Sequence, residues 1–421
     1  MEPTQTTQTS RTPSGRWSIT LLSLGHACVD VYQGAVAALV PFFVSERAYT
    51  YAAASGIVLA ASLLSSVVQP LFGALVDKWA MPWLLPVSTL LGGAGVALAG
   101  VGGSYALTLA AVAVSGIGIA AYHPEAARVA RDVSRGSHTA MGWFSLGGNI
   151  GFAAAPLMVS AVIATGGLHA SPLLVVPALA GAALCVAALR ARVPDAASGG
   201  GPARVKETVG RDDWASFAKL SGAIVCRSIV FVGLGAFISL YASRRTGGGD
   251  AAGTAALFVL YLGGAVGTVA GGRLATRYGR IPVVQWSYAL SVLAVAGVVL
   301  VPGPPLYLFV ALTSAGLYVP FSLHITLGQD YLPRRVGTAG GVTLGLAVSV
   351  GGVATPVIGA LADATSLRTA LAPLIALPAV GWLLLRTLKE PELPGAGGGA
   401  GGGEASAATP PGPAADAAAR P

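Results

Sequence analysis

The residues that invite chemistry in this chain are few and sit in apolar surroundings. His26 and Asp30 stand four apart, the spacing that puts two side chains on one helix face. Tyr122, His123, Pro124 and Glu125 run together, with Arg128 three further on, and Arg227 is a lone cation inside a long apolar stretch. His324, Gln329 and Asp330 form a third polar group. An imidazole beside a carboxylate can exchange protons near neutral pH, and a guanidinium can hold an anion. Nothing here makes a nucleophile–base set, and His123-Pro124-Glu125 is not the His-Glu-x-x-His of zinc proteases, so no enzyme is expected. Cys28, Cys185 and Cys226 have neither disulfide nor zinc-ligand spacing; no metal and no cofactor is expected.

The elements that must hold these residues are membrane helices. Charged residues make up 10% of the chain and hydrophobic ones 54%, where a soluble domain carries about 25% charge. Twelve apolar stretches follow one another, most near the ~20 residues that cross a bilayer. They are Trp17–Val44, Tyr51–Val76, Pro82–Val101, Tyr105–Ala127, Thr139–Thr165, Ser171–Leu189, Trp214–Tyr241, Ala252–Thr276, Ile281–Val301, Pro305–Leu327, Val336–Leu361 and Leu367–Leu388. Unbroken apolarity over such lengths predicts helices, since barrel strands alternate over ~10 residues. The fold expected is an all-α integral membrane protein. Glu46 and Arg47, rather than a cleavage site, follow the first stretch, so no removable signal peptide is expected.

Charge sets the orientation. If both termini are cytoplasmic, twenty of the 25 Lys and Arg residues fall on the inner side. Only Arg47, Arg244, Arg245 and Arg368 fall outside, and Arg227 lies within a helix. The net charge of +8 is thus a topology signal and implies no nucleic-acid partner. An N-tail of 1–16, a first half of 17–189, a central loop of 190–213, a second half of 214–388 and a C-tail of 389–421 result. The tail is Gly, Ala and Pro with little apolar bulk, and is expected to be disordered.

The two halves repeat. A shift of 200 residues pairs Pro82 with Pro282, Arg135 with Arg335, Gly151 with Gly351 and Pro156 with Pro356. Paired six-helix halves suit a transporter with its site between them. His26 and Asp30 fall ~13–20 Å in from Trp17, near the middle of a ~30 Å core. Arg227 has similar depth on the seventh helix, and an ionisable group there costs at least ~2.5–3.5 kcal/mol without a partner or cavity. Asp30 and Arg227 are therefore expected to face each other across the centre, either as a structural bridge or as proton and substrate groups. Glu125 and Arg128 can pair locally, as a functional cluster or as a charge patch at the membrane edge. Tyr122, Asn149, His324 and Gln329 are further substrate-binding candidates.

The chain resembles the major facilitator superfamily over Trp17 to about Leu388. Gly73, Asp77 and Lys78 match that family's motif between helices two and three, while Ala80 and Met81 depart from it. The second-half copy keeps Gly272, Arg277, Gly279 and Arg280, with Thr276 at the acid position. Helix five resembles the drug–proton antiporter pattern at Gly142, Gly151 and Pro156. Four further stretches resemble the fosmidomycin resistance branch: His26–Asp30, Ala121–Ala130, Gly147–Phe152 and Arg227–Leu234. That resemblance implies a multi-pass bacterial inner-membrane exporter of a small anionic or amphipathic compound such as the phosphonate antibiotic fosmidomycin. Proton entry would drive it, and it would work as a monomer in the lipid bilayer. Proton-coupling groups would come from Asp30, His26, Glu125 and His123, with Arg227 and Arg128 attracting the anion. Proton symport importing an organic anion is the alternative.

Asp77 is expected to latch the cytoplasmic side against the N-terminus of helix eleven, where a carboxylate contributes ~0.3–1 kcal/mol, or ~2 kcal/mol if partly buried. Asp77→Asn should lower transport several-fold and raise thiol labelling of a cysteine placed at Ala126, with substrate affinity little changed. Reduced transport with unchanged labelling would remove the latch role.

Overall fold

The computed structural model describes residues 13–134, 138–191 and 211–391. Among these, eleven helices are long and apolar enough to cross a membrane. They are α1 (Pro13–Arg47), α2 (Tyr51–Lys78), α4 (Tyr105–Ser134), α5 (His138–Ile163), α7 (Trp214–Thr246), α8 (Gly249–Tyr278), α9 (Arg280–Leu300), α12 (Val336–Ala364) and three composite spans. One composite is a 3-10 turn running into α6 (Val176–Arg190); another joins α10 (Leu306–Tyr318) to α11 (Phe321–Tyr331). The last joins α13 (Leu367–Leu371), through a 3-10 turn, to α14 (Ala376–Leu385). The third expected span is shorter than drawn: α3 covers only Leu84–Ala99, about 24 Å of rise. The Gly100, Gly102 and Gly103 cluster ends it, and the Arg47 guanidinium donates to the Gly100 and Gly102 carbonyls left over at its C-terminus. Most of the central loop and the C-tail lie outside the described residues.

The repeat is visible in the packing. α1 lies on α5 and α6 as α7 lies on α12 and α14, and α4 packs on α2 and α3 as α10 packs on α8 and α9. Both sixth spans contain a 3-10 turn with a proline in it, Pro172 in one and Pro373 in the other. Leucines, valines and tryptophans such as Leu71, Trp79, Trp83, Leu293 and Val357 project outward. In lipid such a surface carries no penalty, and the rings suit the headgroup level.

The halves meet along α2 with α12 and α5 with α8, and they close at one end. There the Asp363 carboxylate at the end of α12 accepts from the Tyr51 and Ala52 amides that open α2, at 2.8 and 2.9 Å. Thr50 caps the next donor, Ala53, at 3.1 Å. These amides are orphans of the first turn, and a carboxylate there also meets the positive end of the helix dipole. Arg244 of α7 lies over the Tyr51 ring and Phe237 meets its edge. Deeper in, Gly359 and Gly352 of α12 leave room for Ser55 and Ser62 of α2. At the opposite end each half keeps its own core: Phe217, Leu220, Ile224, Ile281, Leu327 and Tyr331 pack within the second half.

Removing the Asp363 charge should loosen the closed end. An exposed carboxylate at a helix N-terminus contributes ~0.3–1 kcal/mol, about a two- to fivefold population shift. Asp363→Asn is expected to speed thiol labelling of a cysteine at the buried Ser55 by that factor, without lowering thermal stability in detergent. Unaltered labelling would assign the closure to packing alone.

Candidate functional site

The first-half site begins with glycines on α5. A side-chain carbon at Gly147 or Gly151 would run into the backbone carbonyls of Ser23 or Ala27 on α1, so the two helices touch backbone to backbone. Gly148, between them, faces the Asp30 carboxylate and the His26 ring. α1 therefore presents His26 and Asp30 to a face with no side chains in the way, and α4 brings His123 in from the side.

Three groups converge there. His26 Nε2 lies 3.2 Å from Asp30 Oδ2, and His123 Nε2 lies 3.0 Å from Asp30 Oδ1. Each imidazole is held from behind: His26 Nδ1 donates to the Phe144 carbonyl at 2.9 Å, and His123 Nδ1 to the Ile119 carbonyl at 2.7 Å. A carbonyl only accepts, so both Nδ1 atoms carry hydrogen and a neutral ring turns a bare Nε2 toward the carboxylate. Phe144 also stacks on His26 with centroids 4.3 Å apart. Tyr122 is wholly buried behind the two histidines.

The expected Asp30–Arg227 pair is not formed, because each group finds partners in its own half. Pro320 interrupts the span between α10 and α11. At that break the Leu317 carbonyl accepts from Arg227 Nη1 at 3.1 Å. The guanidinium lies 5.1 Å from the Phe321 ring centroid. Arg227 is 3% exposed and has no acidic partner among the described residues. Its Nε and the Nε2 of buried His324 make no hydrogen bond to the described residues. Buried polar atoms in this position call for an acceptor such as an anion or water.

The remaining candidates scatter. Arg128 does pair with Glu125, through two hydrogen bonds, and also reaches Asp132 at 3.1 Å. Its charge is thus paired locally, and the pair leaves Glu125 buried and bound. Asp330 and Glu390 both bind Arg280, at 2.5 Å, tying α9 to α11 and to the segment after α14. Gly279 of the same motif has φ 86, a left-handed conformation that only glycine adopts readily. Arg277 lies over Tyr278. Gly73 and Gly142 face open space, and Lys78 ends α2. Pro156 lies inside α5. Asn149 and Gln329 are half-buried. The Asp77 side chain lies outside the described residues, so the cytoplasmic latch has no geometry here.

Between the halves lies a central cavity enclosing about 100 Å³. Gln33, Val58 and Ile119 line it from one half, Phe231, Tyr261 and Ala347 from the other, with Phe152 reaching across. Phe152 stands 4.2 Å from Tyr261 and 6.4 Å from Phe231, centroid to centroid. Asp30 precedes Gln33 by about one turn of α1, and Arg227 precedes Phe231 by one turn of α7. Both sites thus lie on the side of the cavity away from the closed end. Tyr261 was not legible in the sequence, since an aromatic in an apolar helix carries no mark of facing a cavity.

A two-half helical bundle with ionisable groups beside a central cavity is the architecture of a secondary transporter. Residues 22–356 match the Major Facilitator Superfamily, and the chain belongs to that family of membrane transporters. It is 30% identical over 374 residues to the fosmidomycin resistance protein of Escherichia coli (strain K12), covering 86% of this chain and 91% of that one. It is also 30% identical over 388 residues to an uncharacterized MFS-type transporter of Bacillus subtilis (strain 168), covering 86% and 90%. Its fold is similar to an inward-facing, occupied structure of a bacterial homolog of the human lysosomal transporter Spinster. There the TM-score is 0.74 at 14% identity, over 90% of this chain and 97% of that one.

The glycine contacts separate packing from coincidence. Gly151→Ala should force α1 from α5 and destabilise by at least the ~1–3 kcal/mol of overpacking, with lower melting in detergent and loss of transport. Gly142→Ala, which meets nothing within 4 Å, should leave both unchanged. Equal melting of the two variants would contradict the backbone contact.

Proposed function

We propose that this chain is a proton-coupled exporter of a small anion, with the two tasks divided between its halves. The observation that carries this reading is the unequal satisfaction of its buried charges. Asp30 is flanked by two imidazoles that each need a proton to bond it, whereas Arg227 is a buried cation without an acid among the described residues. The first arrangement loads protons; the second receives an anion. The positive-inside bias assigns the open end to the cytoplasm, so an anion entering from there would meet Arg227 beside the aromatic-lined cavity. Closure behind it and opening of the Tyr51–Asp363 end would release it outside. Protons entering from outside onto His26, Asp30 and His123 would favour the return.

The relative in Escherichia coli, named for fosmidomycin resistance, supports export and a phosphonate-like substrate. The antiporter-like Gly151 and Pro156 on α5 point the same way. Import by proton symport uses the same groups in the other direction, and the direction of proton movement separates the two. In energised inverted vesicles, exported substrate dissipates the gradient of an acid-accumulating dye under antiport.

Asp30→Asn, which keeps the shape of the carboxylate, should abolish gradient-driven export while leaving substrate exchange at equilibrium. Arg227→Gln should weaken substrate binding roughly tenfold or more, about 1.4 kcal/mol. The charge swap Asp30→Arg with Arg227→Asp should restore nothing, because the two groups do not pair. Restored transport by the swap would overturn the division of roles, and wild-type export by Asp30→Asn would move the proton elsewhere.

A further inference from the structure

The geometry points to a transition-metal site formed by His26, Asp30 and His123, one that takes a borderline divalent ion such as zinc or cobalt. The ligand atoms, two imidazole Nε2 and a carboxylate oxygen, all lie within 4.8 Å of one another. Zinc bonds near 2.0–2.2 Å in a tetrahedron put neighbouring ligand atoms about 3.4 Å apart. The nitrogen–oxygen separations, 3.2 Å from His26 to Oδ2 and 3.0 Å from His123 to Oδ1, are close to that spacing, each to a different oxygen of the one carboxylate. The two nitrogens have to close by no more than about 1.5 Å. His123, a quarter exposed on its side chain, is the freer of the two.

Two features distinguish this from a chance cluster. Each histidine gives its Nδ1 hydrogen to a backbone carbonyl, Phe144 for one and Ile119 for the other. That is the outer-shell arrangement by which metal-binding histidines are oriented, with the lone pair of Nε2 aimed at the ion. Gly148 keeps the space beside Asp30 and His26 clear of a side chain. Imidazole with one carboxylate suits zinc, cobalt or nickel, whereas magnesium and calcium prefer all-oxygen sites. Three protein ligands leave a fourth position open to water or a small anion.

Such an ion would bind α1 to α4 through the lone pairs that the proposed proton step uses, and so would inhibit transport. That clause rests on the proton reading; the binding itself rests on the ligand geometry alone. The test is therefore direct binding to the purified, tag-free protein in detergent, without a gradient. Cobalt absorption with back-titration by zinc reads the ligand field, and equilibrium dialysis reads stoichiometry. We expect one ion per chain with the intense visible bands of a tetrahedral site. Affinity should fall tenfold or more in His26→Gln, His123→Gln and Asp30→Asn, and stay as in the wild type in His169→Gln. His123→Cys, which still offers a ligand, should retain binding and shows that loss in the glutamine variant is not misfolding. Less than one ion bound, octahedral cobalt bands, or undiminished binding in His26→Gln and His123→Gln would each overturn the site. If binding stands and zinc leaves export untouched, the proton assignment fails and the metal site does not.

Discussion

α1 rests on α5 with backbone against backbone, and the chemistry of the first half depends on that contact. Between lipid-exposed helices there is no hydrophobic drive to associate, so close van der Waals approach and hydrogen bonding must supply it. Gly147 and Gly151 permit the approach at Ser23 and Ala27. Gly148 then leaves the volume in which Asp30 and the His26 ring sit. The same α5 segment supplies the Phe144 carbonyl that orients His26. A side chain at Gly147 or Gly151 would displace α1, and one at Gly148 would push directly on the Asp30 carboxylate and the His26 ring.

The halves share a scaffold but treat their buried charges differently. In the first, acid and base meet: Asp30 with two histidines, Glu125 with Arg128. In the second, Arg227 makes do with the Leu317 carbonyl and the face of Phe321. A carbonyl and a ring quadrupole soften the burial of a guanidinium without neutralising it. That carbonyl lies in the last turn of α10, just before the break at Pro320. Arg280 acts as a mechanical tie, joining Asp330 and Glu390 at the end of the second half away from the Asp363 contact.

Closure at the other end uses the unsatisfied amides of a helix start. Asp363 reaches across from α12 to the first turn of α2, so the seam that separates the halves is bridged by a charge-assisted contact. The expected latch lies at the opposite end of the same helix pair, between Asp77 and the start of α12. The physical device is alike: a carboxylate of one half set on a helix N-terminus of the other.

Sequence by itself determined the membrane class, the sequence positions of the spans and the two-fold repeat. The reason is local: hydropathy over ~20 residues and the spacing of charges are properties of a chain segment. It also placed His26 with Asp30 and Glu125 with Arg128, since helical spacing fixes neighbours three or four apart. It overdrew α3, whose glycine-rich end needs Arg47 from another helix to finish it. Tertiary structure alone decided that His123, 93 residues from Asp30, completes the cluster, and that Arg227 does not. Which groups meet across a bundle depends on helix rotation and backbone separation, set here by Gly147 and Gly151 bringing α5 against α1, with Gly148 leaving room for the site. A glycine in the sequence does not announce which backbone it will touch.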